Sequence, residues 1–406
     1  MSGRTSTAVG DLARRGFSDA SRAQQMVDAI VARHPACTDP DGLLDILAGA
    51  ADPDLALQGI SALDESATDL AGEIFIDEDW LVRLVTVLGG SQALNQFVRA
   101  HPGATQVIRT PPRRLKAADL RAAMLEAVVG AGSWADDLIV DDPAAPDRLR
   151  LANKYQLLRI ATRDLCHPRP VEIVDDVAGE LADLADAVMG LALACARSQV
   201  PGQEKTRLGV VGLGKCGARE LNYLSDIDVL YVAEPADDQL GVEDAMQIGT
   251  KLAAAMTRVC SAHSGAGTIW QVDAALRPDG NAGPLVRTLA SHRFYYEKWA
   301  KNWEFQAMLK ARPMAGDLQL AQDFVDMVSP MVWQVGGQPN YMTETQAMRQ
   351  RVVNLIPARE RDREIKLGAG GLRDVEFSVQ VLQLVHGRAD ERLRTTATLP
   401  SLARLV

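Results

Sequence analysis

The stretch RLGVVGLGKCGARELNYLSDIDVLYV, residues 207–232, decides how the central part of the chain folds. Its apolar run at 208–212 predicts a short buried strand, and IDVLYV at 227–232 predicts a second one. A glycine-rich loop lies between the two strands. Three known loop patterns overlap in this loop, and the distance to the second strand helps to decide among them.

Two of the three patterns fit the sequence poorly. Residues 212–217 match GxGxxG, which in a dinucleotide-binding fold opens a full helix before the next strand. Only residues 218–224 separate this motif from the next predicted strand, and they are too few for such a helix. Residues 209–215 also match GxxxxGK, but a P-loop then needs Ser or Thr as a magnesium ligand, and this chain has Cys216. We therefore disfavour both interpretations.

The third pattern is a pair of carboxylates behind the glycine loop. Asp226 and Asp228 stand at i and i+2, so that on a strand they point to the same face. Asp273 lies in a third predicted strand, TIWQVDAAL at 268–276, and is placed to complete a site with them. Hard cations such as Mg²⁺ prefer oxygen ligands and commonly bridge carboxylates and substrate phosphates. The pattern predicts a nucleotidyltransferase site, and the alternative is that these carboxylates are solvated or capping residues.

Composition and charge narrow the class of protein. The 406 residues are 47% hydrophobic and carry a net charge of −10, which excludes disorder over most of the chain and argues against a general nucleic-acid binder. The longest apolar stretch, 187–196, is too short to span a bilayer, and the N-terminus lacks the apolar segment of a secretory signal. The five cysteines have no CxxC spacing, which argues against a disulfide framework or a zinc site. We expect a cytoplasmic protein that binds neither nucleic acid nor membrane.

Residue patterns divide the chain into three parts. Residues 1–200 predict a helical region, residues 201–290 contain the strands and a helix at 244–260, and residues 291–406 predict a second helical region. The predicted fold class is α+β and mostly helical, with a small α/β core flanked by the two helical regions. The chain stops inside a predicted helix, which suggests a fragment of a longer protein.

These segments resemble the glutamine synthetase adenylyltransferase family, whose members also remove the adenylyl group. The resemblance is carried by GLGKCGARELNYLSDIDVLYV at 212–232, VDAALRPDG at 272–280, YEKWAKNWEFQAMLKARPMAGD at 296–317, KLGAGGLRDVEF at 366–377 and LLRIATRDL at 157–165. The chain departs from the family patterns at three positions. Ala275 replaces an Arg, Cys216 replaces a Leu, and Ala218 replaces a Gly. The departures leave the three carboxylates intact but affect the expected phosphate contacts.

The resemblance implies a DNA polymerase β-like nucleotidyltransferase core and one half of a bifunctional enzyme. In this family the C-terminal half adds AMP to a tyrosine of glutamine synthetase, and the N-terminal half removes it by phosphorolysis, yielding ADP. ELNY at 220–223, KARP at 310–313 and the long helical region before the motif resemble the N-terminal half. We expect removal of AMP from adenylylated glutamine synthetase, with inorganic phosphate as second substrate and a PII signal protein as regulator. ATP-dependent adenylylation and a non-catalytic regulatory module are the alternatives.

The motif and the resemblance together assign roles to individual residues. Asp226, Asp228 and Asp273 are the expected catalytic residues and the ligands of one or two Mg²⁺ ions. Five residues are expected to bind phosphate or nucleotide: Gly212, Gly214, Lys215, Ser225 and Arg277. Five more are expected to support the site: Asn222, Lys310, Arg312, Arg373 and Glu376. For Lys215 and Arg277 the alternative is a solvated surface side chain.

An aromatic cluster follows the predicted core. Tyr296, Trp299 and Trp303 stand at i, i+3 and i+7, which is the spacing of one helix face. This spacing predicts that all three pack in the hydrophobic core. Stacking on an adenine ring is the alternative.

Overall fold

A computed structural model describes residues 8–34, 39–238 and 241–406, and it is mostly helical with a small mixed sheet. The chain divides into two compact units, one formed by Met1–Arg114 with Lys154–Val177 and the other by Leu115–Asn153 with Ala178–Val406. The architecture belongs to the α+β class that the sequence predicts. None of the helices in the described ranges combines the length and the apolar composition needed to cross a bilayer.

The helices form where apolar residues recur at helical spacing, and aspartates begin several of them. Asp52 and Asp77, for example, each accept a hydrogen bond from a backbone N–H in the first turn of the helix that follows. The helices are α1 (Ala8–Arg14), α2 (Ala20–Arg33), α3 (Pro40–Ala48), α4 (Pro53–Ser66), α5 (Thr68–Ile76), α6 (Glu78–Gly90), α7 (Gln92–Ala100), α8 (Ala117–Val129), α9 (Ala145–Leu165), α10 (Val174–Gln199), α11 (Gly214–Gly217), α12 (Val242–Ser261), α13 (Leu289–Lys298), α14 (Asn302–Met308), α15 (Leu318–Val335), α16 (Tyr341–Asn354), α17 (Leu372–His386) and α18 (Thr398–Leu405).

The sheet lies in the second unit and has five strands. The strands are β1 (Thr206–Gly212), β2 (Ile227–Pro235), β3 (Val272–Asp273), β4 (Val286–Arg287) and β5 (Arg312–Gly316). Strand β1 lies between β2 and β5 and is antiparallel to both. Strand β2 is parallel to β3 and β4, which pair with different parts of its other edge. The sheet is therefore mixed, and its two longest strands are the two encoded by the central stretch of sequence.

The structure confirms the first two predicted strands and corrects the third. The predicted strand at 268–276 is reduced to the two residues of β3, and the sequence pattern does not predict β4 or β5. Only the short helical turn α11 and a loop connect β1 to β2, and the two strands are antiparallel neighbours. A dinucleotide-binding unit needs parallel strands joined by a full helix, so the GxGxxG motif does not have that role here.

Helix α15 packs against one face of the sheet. A Cβ atom on Gly209 of β1 would lie only 2.9 Å from the backbone nitrogen of Ala321, so strand and helix meet through their backbones. Phe324 of α15 has no exposed surface and belongs to the same core cluster as Val211 of β1 and Leu230 of β2. This core supports the ends of β1 and β2 between which the glycine loop runs.

Replacing Phe324 with Ala tests the importance of this core. The change leaves a cavity beneath the sheet, and we expect a loss of about 3–5 kcal/mol in the free energy of unfolding, measured by urea titration. Phe294, whose residue surface is 59% exposed, provides the matched control. The Phe294→Ala protein should lose less than about 1 kcal/mol. Equal losses in the two variants would contradict the packing described here.

Candidate functional site

The glycine turn after β1 brings the backbone against Asp228 of β2. The Leu213 N–H donates to the Asp228 carbonyl over 2.9 Å, and Gly214 follows with a φ of +53°. A Cβ atom on Gly214 would lie 2.0 Å from the Asp228 Oδ2 atom. Both the positive φ and this close approach require glycine at position 214. The turn backbone and the carboxylate therefore share one small region of space.

Three carboxylates lie around this turn. Asp226 immediately precedes the first residue of β2, and Asp228 of β2 is the register partner of Asp273 in β3. Burial, followed by the charges of Asp273 and Asp226, raises the pKa of Asp228 to about 6. Lys366 and Arg373 oppose this rise. The structure thus brings the three predicted carboxylates within electrostatic reach of one another, and the charges of Arg373 and Lys366 also act on Asp228.

These carboxylates do not form a closed metal cage in the conformation observed. Within residues 8–34, 39–238 and 241–406, no three His, Cys, Asp or Glu side chains are grouped as a metal site requires. One reason is local: Asp273 Oδ1 accepts a hydrogen bond from the Ala275 N–H over 2.7 Å. Asp226 and Asp273 are exposed, so both side chains have room to rotate. The donors are hard carboxylate oxygens, which are the ligands that divalent cations such as Mg²⁺ prefer, so the residues fit such an ion.

The remaining residues predicted to bind phosphate differ in their positions. Gly212 ends β1 directly before the turn, and Lys215 lies within α11. Ser225 is half-buried in the loop before β2. The Arg277 guanidinium is occupied by the loop after β3, where it donates to the Ala274 carbonyl over 2.8 Å. The Gly214 backbone therefore packs against Asp228, and Ser225 directly precedes Asp226. Arg277 is engaged with its own loop.

The predicted supporting residues surround the turn, with one local exception. Lys215 Nζ lies 2.5 Å from Glu376 Oε1 of α17, and Lys310 Nζ lies 3.9 Å from the same oxygen. Arg373 lies one turn before Glu376 and contacts its other oxygen at 3.9 Å. Burial raises and these cations lower the pKa of Glu376, and the net effect is a lowered value. The exception is Asn222, whose side-chain oxygen accepts from the Leu224 N–H over 3.0 Å and shapes the loop before the carboxylates.

Arg312 of β5 connects the glycine turn to helix α10. Its guanidinium donates to both oxygens of Asp186 on α10 over 2.7 and 2.8 Å, and it also donates to the Cys216 carbonyl over 3.1 Å. Asp186 is 6% exposed, so the pair is shielded from water. Sequence reasoning missed Asp186. An ionisable residue directly before the apolar run at 187–196 was the available signal for it.

The aromatic cluster is only partly buried, which corrects the sequence prediction. Helix α13 ends at Lys298 and α14 begins at Asn302, so Tyr296, Trp299 and Trp303 do not share one continuous helix. Tyr296 is buried in the core, whereas Trp299 is 68% exposed. The break between the two helices removes the periodicity that the prediction assumed.

Comparison with known sequences shows the family of the chain. Residues 81–327 match the family described as glutamate-ammonia ligase adenylyltransferase, and this segment includes the glycine turn and all three carboxylates. The chain belongs to the glutamate-ammonia ligase adenylyltransferase family. Residues 346–406, which include α17, also match the family described as GlnD PII-uridylyltransferase.

Family relatives are similar over nearly the whole chain. A protein of Cutibacterium acnes is 53% identical over 99% of this chain and 41% of its own length. Proteins of Bifidobacterium longum and Streptomyces coelicolor are each 45% identical, over 97% and 99% of this chain and 38% and 39% of their own lengths. All three are named bifunctional glutamine synthetase adenylyltransferase/adenylyl-removing enzyme. The chain thus spans about two fifths of the length of the family relatives it matches.

Breaking the Asp186–Arg312 pair should destabilise the protein more than replacing it. Arg312→Met leaves a buried carboxylate without its partner, and we expect a loss of about 3–5 kcal/mol in the free energy of unfolding. The double variant Asp186→Leu with Arg312→Met should lose markedly less, since no buried charge remains. Denaturant titration of the parent, both single variants and the double variant measures this. A double variant as unstable as the sum of the single variants would show that the two side chains are not coupled.

Proposed function

We propose that this chain is the adenylyl-removing half of a bifunctional enzyme, and that it removes AMP from the adenylylated tyrosine of glutamine synthetase by phosphorolysis. The observation that carries the proposal is the approach of the Gly214 backbone to Asp228, which pairs in register with Asp273 and follows Asp226 by two residues. The charges of Arg373 and Lys366 also act on Asp228. A backbone that approaches closely, acidic groups for a cation and basic groups for a phosphate are the parts that nucleotidyl transfer needs. The names of the family relatives include both adenylylation and adenylyl removal.

In this proposal residues 201–290 form most of the nucleotidyltransferase-like catalytic core, flanked by mostly helical regions at 1–200 and 291–406. Strand β5 of the second flanking region completes the sheet of that core. Asp226, Asp228 and Asp273 would hold one or two Mg²⁺ ions, with Asp273 turning away from the Ala275 N–H. When bound, the metal neutralises charge on the adenylyl phosphate and so lowers the barrier to its transfer. The role of the carboxylates is to hold that ion beside the glycine turn, since on their own they would repel a phosphate.

The residues of this chain bind and align the two reacting groups. An oxygen of inorganic phosphate forms a bond to the adenylyl phosphorus, the bond from that phosphorus to the tyrosine oxygen breaks, and the products are ADP and free tyrosine. The departing tyrosine oxygen takes up a proton, so no covalent intermediate on the protein is required. The backbone at Gly212 and Gly214, the Lys215 ammonium and the Ser225 hydroxyl border the phosphates, while Arg277 supports the adjacent loop. Transfer of this type depends mainly on positioning and electrostatic stabilisation.

Resemblance supports the direction of the reaction. ELNY at 220–223 and the long helical region before the motif are similar to the adenylyl-removing half of the family. ATP-dependent adenylylation of glutamine synthetase is the second candidate, since the same site chemistry serves both directions. The match of residues 346–406 to the GlnD PII-uridylyltransferase family supports regulation through a PII protein. Cys166, Cys195, Cys216 and Cys260 are free thiols, in keeping with a reducing cytoplasm, whereas Cys37 lies outside the described residues.

The proposal is tested by mixing the purified chain with adenylylated glutamine synthetase, phosphate and Mg²⁺ and following ADP by chromatography. We expect ADP to form only when phosphate is present, together with loss of AMP from the synthetase. Transfer of AMP from ATP onto unmodified synthetase, without ADP release from the modified form, would instead assign the adenylylating activity. Neither product from folded chain supplied with PII protein would favour a non-catalytic module.

Neutralising one of the carboxylates should stop turnover without unfolding the chain. We expect Asp226→Asn to reduce phosphate-dependent ADP formation by about a thousandfold, because the metal ion loses one of its carboxylate ligands. Asp226 is exposed, so the melting temperature should change little. The matched control is Asp244→Asn, an exposed carboxylate in the first turn of α12, which should retain parent activity. An active Asp226→Asn enzyme would remove Asp226 from the catalytic set.

Adding one methyl group to the glycine turn should have a similar effect. In Gly214→Ala the new Cβ collides with Asp228 Oδ2, which it would approach to 2.0 Å, and the displaced carboxylate should reduce kcat by about a hundredfold. Gly265→Ala provides the control, because a Cβ there would meet no atom within 4 Å. The kcat values of the two variants, measured by steady-state kinetics, show whether this close approach is needed. Parent-like turnover in Gly214→Ala would mean that this close approach is not needed for activity.

A further inference from the structure

Glu220 connects the glycine turn to the last helix of the chain. Its backbone N–H donates to the Lys215 carbonyl over 2.9 Å, so this residue closes the turn. Its carboxylate accepts hydrogen bonds from the backbone N–H and the side-chain hydroxyl of Thr398, the first residue of α18. The hydroxyl bond measures 3.0 Å. A single side chain thus bridges two elements that are 178 residues apart in the sequence.

A network of side chains with alternating charge connects Glu220 to Lys215. Lys310 Nζ lies 3.2 Å from Glu220 Oε2 and 3.9 Å from Glu376 Oε1. Lys215 Nζ lies 2.5 Å from that same Glu376 oxygen. The three inner side chains are 12%, 7% and 15% exposed for Glu220, Lys310 and Glu376, so water screens their interactions only weakly. Removing the charge of one of these side chains is therefore expected to alter the interactions of its neighbour in the network.

The backbone of Lys310 holds this network of charged side chains against the glycine turn. A Cβ atom on Gly217 would lie 2.1 Å from the Lys310 carbonyl oxygen, so this carbonyl packs directly on the glycine turn. The Lys310 residue is 6% exposed and is held at its ammonium by Glu220. Since both ends of Lys310 contact the turn segment, it cannot shift without disturbing residues 215–220.

We propose that Glu220 is a positioning residue that couples the docking of α18 to the placement of Lys215 at the glycine turn. Docking of Thr398 fixes the Glu220 carboxylate, the carboxylate fixes Lys310, and Lys310 shares Glu376 with Lys215. Loss of the contact between Thr398 and Glu220 then loosens the contact between Glu376 and Lys215. The catalytic consequence rests on the proposed function, because it assumes that Lys215 borders a bound phosphate, whereas the coupling itself does not.

Amide hydrogen exchange tests the coupling without any assay of activity. In Glu220→Ala we expect exchange to accelerate together at residues 215–219 and 398–401, each by about fivefold or more, as for groups in one ion-pair network. The control is Glu391→Ala, which removes a carboxylate that is 80% exposed and pairs with Arg394 in the same C-terminal segment. It should leave both regions unchanged. Acceleration in one region alone, or in neither, overturns the proposal.

A second variant keeps the test decisive if Glu220→Ala does not fold. Thr398→Val removes only the hydroxyl at the outer end of this network. It should still accelerate exchange at residues 215–219, by about twofold or more. Unchanged exchange there, with α18 loosened, would show that the docking of α18 does not reach the turn.

Kinetics separate the positioning role from a merely structural one. Glu220→Gln keeps an oxygen acceptor for the Thr398 N–H but removes the charge that pairs with Lys310. We expect the KM for phosphate to rise about tenfold while kcat changes less than about twofold. A parent-like KM in an active enzyme contradicts the proposal. A parent chain that forms no ADP contradicts the proposed function instead, and the exchange measurements still decide whether Glu220 couples α18 to the turn.

Discussion

The close approach between the Gly214 backbone and the Asp228 carboxylate is the constraint on which the rest of the site depends. A side chain at position 214 would occupy the space of the carboxylate, so the turn and the second strand can meet only where glycine stands. Because this glycine turn is tight, β1 and β2 can be antiparallel neighbours joined by a short connection. Asp228 then lies opposite Asp273, and the acidic group is assembled from two adjacent strands.

Elements distant in the sequence hold this turn in place. Arg312 of β5 ties the Cys216 carbonyl to the buried Asp186 of α10. On the other side Glu376 of α17 binds Lys215, and Lys310 closes the network. Buried networks of this kind respond as units, since removing one charge leaves its partner uncompensated in a medium of low polarity. The position of the glycine turn is therefore a property of the whole second unit.

Charges of both signs act on Asp228 in the candidate site. Burial, together with the charges of Asp273 and Asp226, raises the pKa of Asp228, while Arg373 and Lys366 oppose this rise. An acidic group suited to a divalent cation thus lies next to a basic group suited to phosphate oxygens. The local basic side chains show how a chain with a net charge of −10 could accept the anionic substrates proposed above.

The local parts of this structure could be predicted from sequence, and the long-range parts could not. Strands β1 and β2 follow from short apolar runs, and α12 from its helical spacing. The spacing of Asp226 and Asp228 predicts that both lie on one strand, but β2 begins at Ile227, so Asp226 lies just before it. Strand β3 has only two residues, fewer than predicted. Strand β5 was not predicted, because its sequence RPMAG has no strand pattern and it forms a strand only through its pairing with β1. Asp186 and the bridging role of Glu220 were missed for the same reason. Their partners lie 126 and 178 residues away, and a sequence pattern does not reveal such pairs.

The central claim is that the carboxylates beside the glycine turn bind a divalent cation. Electron paramagnetic resonance measures this directly through the loss of free Mn²⁺ signal when the ion is titrated into the chain without nucleotide. We expect the parent chain to bind one or two ions, as expected of a nucleotidyl-transfer site, and this binding to be lost in Asp228→Asn. Equal binding by the parent and the variant, or no binding by a folded parent, would contradict it.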